Sequence, residues 1–132
     1  MSAALGGALF YATHSASSGI ACFLAGTAID VDHLYDYFRH KGFRLSVEDF
    51  LLGRYFTETG RHFIWLHSYE LVLLLLASWF FFQLSQLWIG ISVGLLSHLL
   101  CDQFTNHVHP LSYFLCYRVS NDFKISNHPA QG

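Results

Sequence analysis

Residues 71–82, LVLLLLASWFFF, carry no charge. A run this apolar must satisfy its backbone N–H and C=O groups without water. The α-helix does so within a single segment. Two other stretches have the same character. Residues 3–29 are apolar and studded with small residues (Gly6, Gly7, Ala16, Ser17, Ser18, Gly19 and Gly26), which let helices approach closely. Residues 87–106 open on Trp88, a typical interfacial anchor, and contain the GxxxG pair Gly90 and Gly94. The expected fold is all-α: an integral membrane helical bundle of one domain, 1–132, with about three transmembrane spans near 3–29, 63–82 and 87–106.

Composition agrees with a membrane environment. Hydrophobic residues make up 53% and charged residues 12%, about half the charged share of a soluble domain. The net charge of −2 gives no basic footprint, which argues against nucleic acid as a partner. Cys22, Cys101 and Cys116 are odd in number and lie in apolar surroundings. They form no disulfide framework and no zinc knuckle, and are expected to be inert thiols. No Lys or Arg precedes residues 3–29, so this segment lacks the charged start of a signal peptide and is expected to be retained.

Five of the seven basic residues (Arg39, Lys41, Arg44, Arg54 and Arg61) fall in 34–62. The positive-inside rule makes this the cytoplasmic loop, which puts the N-terminus outside. Within the loop, Ser46 is a candidate N-cap with Glu48 and Asp49 behind it. Val47, Phe50, Leu51, Tyr55 and Phe56 would form the apolar side of a short amphipathic helix on the membrane surface. The tail, 107–132, is too short before Arg118 to span and reads as interfacial.

Ionisable side chains in such a chain are expensive to bury and mark candidate sites. Nine histidines equal the carboxylates in number, and histidine is the commonest metal ligand. His98 and Asp102 stand four apart on one helical face, and His67 and Glu70 three apart. Asp30, Asp32 and His33 close the first segment, where acids oppose the helix dipole and call for a cation. The expected topology brings all three groups to the cytoplasmic face. This mixture of imidazole and carboxylate suits Zn²⁺, Mn²⁺ or Fe²⁺. Two or more ions are expected, bridged by Asp30 or Asp102. Asp32 and Glu70 are the catalytic candidates, as general base or as orienting groups for a ligand histidine. His107 and His109 are candidate additional ligands. His14 is another, but a straight helix would hold it roughly 24 Å from Asp30. It could join only if the helix breaks near residues 17–19.

His14, the run 29–33 (IDVDH), His67-Ser68 and 96–102 (LSHLLCD) together resemble bacterial membrane-bound metal-dependent hydrolases, in the expected order over about residues 14–110. The resemblance extends more distantly to zinc-dependent phospholipase C, where a His-x-x-x-Asp pair serves adjacent zinc ions. It implies Asp30, His33, His67, His98 and Asp102 as metal ligands. The chain departs from the pattern at Ile29, where proline is frequent, and at 63–66, where Arg-Gly-x-Thr is common. Neither departure touches the ligand set. The expected function is a membrane-embedded phosphoesterase of the bacterial inner membrane, acting on a lipid or lipid phosphate through a metal-activated water. The alternative is a non-enzymatic metal-binding membrane protein or a subunit of a larger assembly. A homodimer through Gly90 and Gly94, or a partner membrane protein, would help bury so thin a bundle.

Overall fold

The computed structural model describes residues 1–43, 46–48, 63–106 and 109–124. Its elements are all helical: α1 (Ser2–Thr13), α2 (Ala16–Ala28), α3 (Val31–Lys41), α4 (Tyr69–Phe82), α5 (Gln86–Thr105), a 3₁₀ turn (Pro110–Tyr113) and α6 (Leu115–Ser120). Most of the expected surface helix and three of the loop's basic residues (Arg44, Arg54 and Arg61) fall outside the described residues, as does His107.

The expected single span over 3–29 is two helices. His14 takes a left-handed backbone conformation (φ 49°) and ends α1. Ser15 then caps α2 by accepting the Ser18 N–H, which satisfies one of the free donors at a helix start. The two helices fold back on each other. Gly6 meets Gly19 midway, and Ser2 Oγ donates to the Gly26 carbonyl at the other end. A short polar turn outweighs the apolar continuity because each half-helix buries its small-residue face against the other. As a result, the N-terminus lies at the same end of the bundle as residues 29–33.

The GxxxG pair is used inside the chain. A Cβ on Gly90 would collide with the Ser18 carbonyl, and one on Gly94 with the Cys22 carbonyl. His98 continues this series onto Gly26. The contacts 18/90, 22/94 and 26/98 share one offset, so α2 and α5 run parallel with their backbones in close contact. That face is therefore covered by α2 and is not free for the expected dimer. α4 runs away from the site end, turns through Gln83 (φ 51°) and returns as α5. The bundle is thus up-down-up-down: α1, α2, α4 and α5. Its core is Ile29, Val72, Leu95, Leu99 and Tyr113.

Candidate metal centre

The site lies at the end of the bundle where α2 finishes, α4 begins and α5 finishes. A tight break at Ile29-Asp30 separates α2 from α3 and turns Asp30 toward α5 while Asp32 and His33 enter the first turn of α3. His67 sits in the non-helical stretch just before α4 and is 1% exposed. His98 and Asp102 share one face of α5, as their spacing requires.

His98 Nε2 lies 3.3 Å from Asp30 Oδ1 and 3.4 Å from Asp102 Oδ2. His67 Nε2 lies 3.7 Å from each of the same two oxygens. Ligand atoms around a tetrahedral zinc, with bonds of 2.0–2.1 Å, stand about 3.3–3.4 Å apart. The four separations between these imidazole nitrogens and carboxylate oxygens, drawn from three separated segments, are thus close to the spacing of ligand atoms around one ion. Among the described residues, neither His67 nitrogen nor His98 Nε2 has a hydrogen-bond partner, although all three atoms are buried. Buried polar nitrogens are ordinarily paired, so these three point to a ligand.

The ring orientations are set from behind. His98 Nδ1 donates to the Gly26 carbonyl at 3.0 Å, which leaves Nε2 as the atom facing the carboxylates. His67 Nδ1 faces Asp32 Oδ2 at 3.6 Å, and that oxygen also accepts the Leu66 N–H at 2.6 Å. These are the supports that metal-binding histidines typically have. His33 lies edge-on to His67, with ring centroids 4.6 Å apart. Asp30, His33 and His67 form one group of ligand atoms within 4.8 Å of one another, and His67, His98 and Asp102 another, with His67 common to both.

Charge follows the same arrangement. The neighbouring imidazoles of His67 and then His98 hold the Asp30 carboxyl well below the usual carboxylate range. Burial opposes ionisation of Asp32, but His67 and the Leu66 N–H outweigh it, and its pKa is lowered. Burial pushes His33 down to about 4, which keeps it neutral near pH 7 and able to donate a lone pair.

Among the predicted residues, Asp30, Asp32, His33, His67, His98 and Asp102 thus come together. Glu70 does not join them: its two oxygens accept the N–H groups of Leu115 and Cys116 at 2.9 and 3.0 Å. His109 Nδ1 accepts the Leu111 N–H and its ring stacks on Tyr117. His14 stands at the far end of α2, about 18 Å of helix from Asp30. The break falls at His14 itself, at the end of the bundle opposite the site, so it does not bring His14 to the other candidate ligands. Sequence reasoning missed Arg118, which is 4% exposed and donates to the carbonyls of Ile64 and His67. The available signal was a single arginine closing the apolar stretch 111–117.

The chain matches no protein-family model, no curated protein and no solved structure.

Proposed function

We propose that this chain is a membrane-embedded, metal-dependent hydrolase acting on phosphate esters of lipids. The observation that carries the reading is the set of four close separations that His67 Nε2 and His98 Nε2 make with Asp30 Oδ1 and Asp102 Oδ2. Support for a membrane comes from the surface. α5 is 20 residues long, apolar, and only a third buried within the chain. Leu73, Leu74, Phe80, Phe81 and Phe82 of α4 are all more than half exposed, a larger apolar face than water ordinarily covers. At 1.5 Å per residue α5 alone approaches the roughly 30 Å hydrocarbon thickness. The α1–α2 hairpin then enters and leaves from the site side.

His67, His98, Asp30 and Asp102 would hold a divalent ion, which would lower the pKa of a bound water and polarise a phosphate oxygen. The side chain of Asp30 is 56% exposed and that of His67 1%, so the site opens to substrate on the Asp30 side. Asp32 orients His67 from behind. Asp30 and His33 offer the place for a second ion, and the open side meets headgroups at the membrane surface.

The test is phosphate release from phospholipid monoesters and prenyl phosphates by detergent-purified protein with Zn²⁺ or Mn²⁺. Turnover that Asp102→Asn abolishes, with the fold intact, supports the reading. No turnover by the metal-loaded parent overturns it. A second reading, a closed non-catalytic metal site, draws on the same four side chains, the number of protein ligands that a structural zinc site takes. Tight zinc binding without turnover would favour it.

A further inference from the structure

We propose that residues 115–123 clamp the loop that carries His67, with Arg118 and Glu70 as its two positioning residues. This rests on the metal reading above.

Residues 63–68 are not helical, yet Ile64, His67 and Ser68 are buried. Buried main-chain groups need partners, and a non-helical stretch cannot supply all of them itself. Arg118 does so from 51 residues away: Nη1 donates to the Ile64 carbonyl, and Nη2 to the His67 carbonyl at 3.0 Å. A planar guanidinium can span two carbonyls as one rigid unit. The second half of the clamp runs in the opposite direction. Glu70, three residues after His67, accepts the first two N–H groups of α6, donors that have no partner within the helix. Burial lowers the Arg118 pKa, and the charges of Asp32 and Glu70 oppose that shift in part.

Packing closes the same contact. Asp122 and Phe123 both take left-handed backbone conformations, φ 53° and 57°, which is unusual for an aromatic residue. The Phe123 N–H bonds back to the Arg118 carbonyl at 2.8 Å. The turn delivers the Phe123 ring onto Phe63, with centroids 5.0 Å apart, and Trp65, at 5.5 Å. All of these contacts bear on the loop carrying the least exposed ligand. The position of the His67 main chain sets how far its ring reaches between Asp32 on one side and Asp30 and Asp102 on the other. Anchoring a tail needs no bond to a ligand's own carbonyl, and Arg118 makes one.

The experiment uses the full chain in detergent. Zn²⁺ affinity is measured by competition with a chromogenic chelator, and Co²⁺ coordination by its visible d–d spectrum. The proteins are the parent, Arg118→Gln, Arg118→Lys, Leu115→Pro and, as a ligand-loss control, His98→Ala. Arg118→Gln is expected to weaken Zn²⁺ binding about 10- to 100-fold, the range for groups supporting a ligand, and to change the Co²⁺ spectrum. Arg118→Lys should recover part of the affinity, because one ammonium reaches one carbonyl well and two poorly. Leu115→Pro removes one N–H from the Glu70 carboxylate at the first helical position, which tolerates proline. Phe114 already has the extended backbone (φ −106°, ψ 123°) that a residue before proline needs. A smaller loss of affinity is expected there.

Parental affinity and an unchanged Co²⁺ spectrum in Arg118→Gln overturn the clamp, even if that variant melts earlier. If Arg118→Gln does not fold, parental affinity in Leu115→Pro overturns it. A parent that binds no Zn²⁺ removes the metal reading and the clamp together, whereas a parent that binds, with only His98→Ala impaired, removes the clamp alone.

Discussion

Gly94→Ala tests how the α2–α5 contact builds the site. A Cβ at this position would stand 3.1 Å from the Ala25 Cβ and 3.0 Å from the Gly26 nitrogen, and closer still to the Cys22 carbonyl. Carbon atoms pack at about 3.5–4.0 Å, so the two helices must separate by at least about half an ångström. These neighbours are backbone or Cβ atoms and cannot rotate away. Overpacking of this kind costs roughly 1–3 kcal/mol, while replacing a helical glycine by alanine returns up to about 1 kcal/mol. The expected net loss is about 1–2 kcal/mol. Gly7→Ala provides the reference, since a Cβ there meets nothing within 4 Å among the described residues, and it should gain up to about 1 kcal/mol. The two variants should therefore differ by roughly 2–3 kcal/mol in SDS-induced unfolding from mild detergent. The site should feel the same strain. Gly94 lies one turn before His98, whose Nδ1 bond to Gly26 is already 3.0 Å. Widening the gap weakens that bond and moves Nε2 away from Asp30, so Zn²⁺ affinity should fall at least about tenfold. Equal stability and equal affinity in the two variants would refute the parallel close packing of α2 on α5.

Asp32→Asn keeps the shape but removes the charge facing His67 Nδ1. It should weaken Zn²⁺ binding about 10- to 100-fold, read by the same competition assay, with the bond to the Leu66 N–H retained. Chelator should lower the thermal midpoint of the metal-loaded protein, because an ion present at 100 times its Kd stabilises by about 2.7 kcal/mol; an unchanged midpoint argues against a folded-state ion. The metal-free protein should lose stability as pH falls from about 6 to 4. His33 takes up a proton near 6.5 when unfolded but only near 4 when folded, so the unfolded state binds more protons in that window. The effect is about 3 kcal/mol at most, is absent above pH 6.5, and should shrink in His33→Gln when unfolding is followed at several pH values.

The helical class and the coming together of Asp30, His33, His67, His98 and Asp102 were legible in the sequence because both rest on local rules. An uncharged apolar run forms helix whatever surrounds it. The i, i+4 spacing puts His98 and Asp102 on one face before any tertiary contact exists. The depth argument that gathered Asp30, His67 and His98 also needed only helix lengths and the order of segments. Tertiary structure decided what depends on competition between partners. Residues 3–29 are apolar enough for one helix, but the Ser15 cap and the pairing of Gly6 with Gly19 make a hairpin, which carries the N-terminus to the site end. The Gly90/Gly94 pair specifies close approach without naming a partner, and α2 takes that surface. Glu70 has the spacing of a site residue, but the free N–H groups of α6 claim both of its oxygens. Arg118 carries no motif at all. Its role exists because a buried loop left two carbonyls without partners, and only the folded chain brings a guanidinium to them.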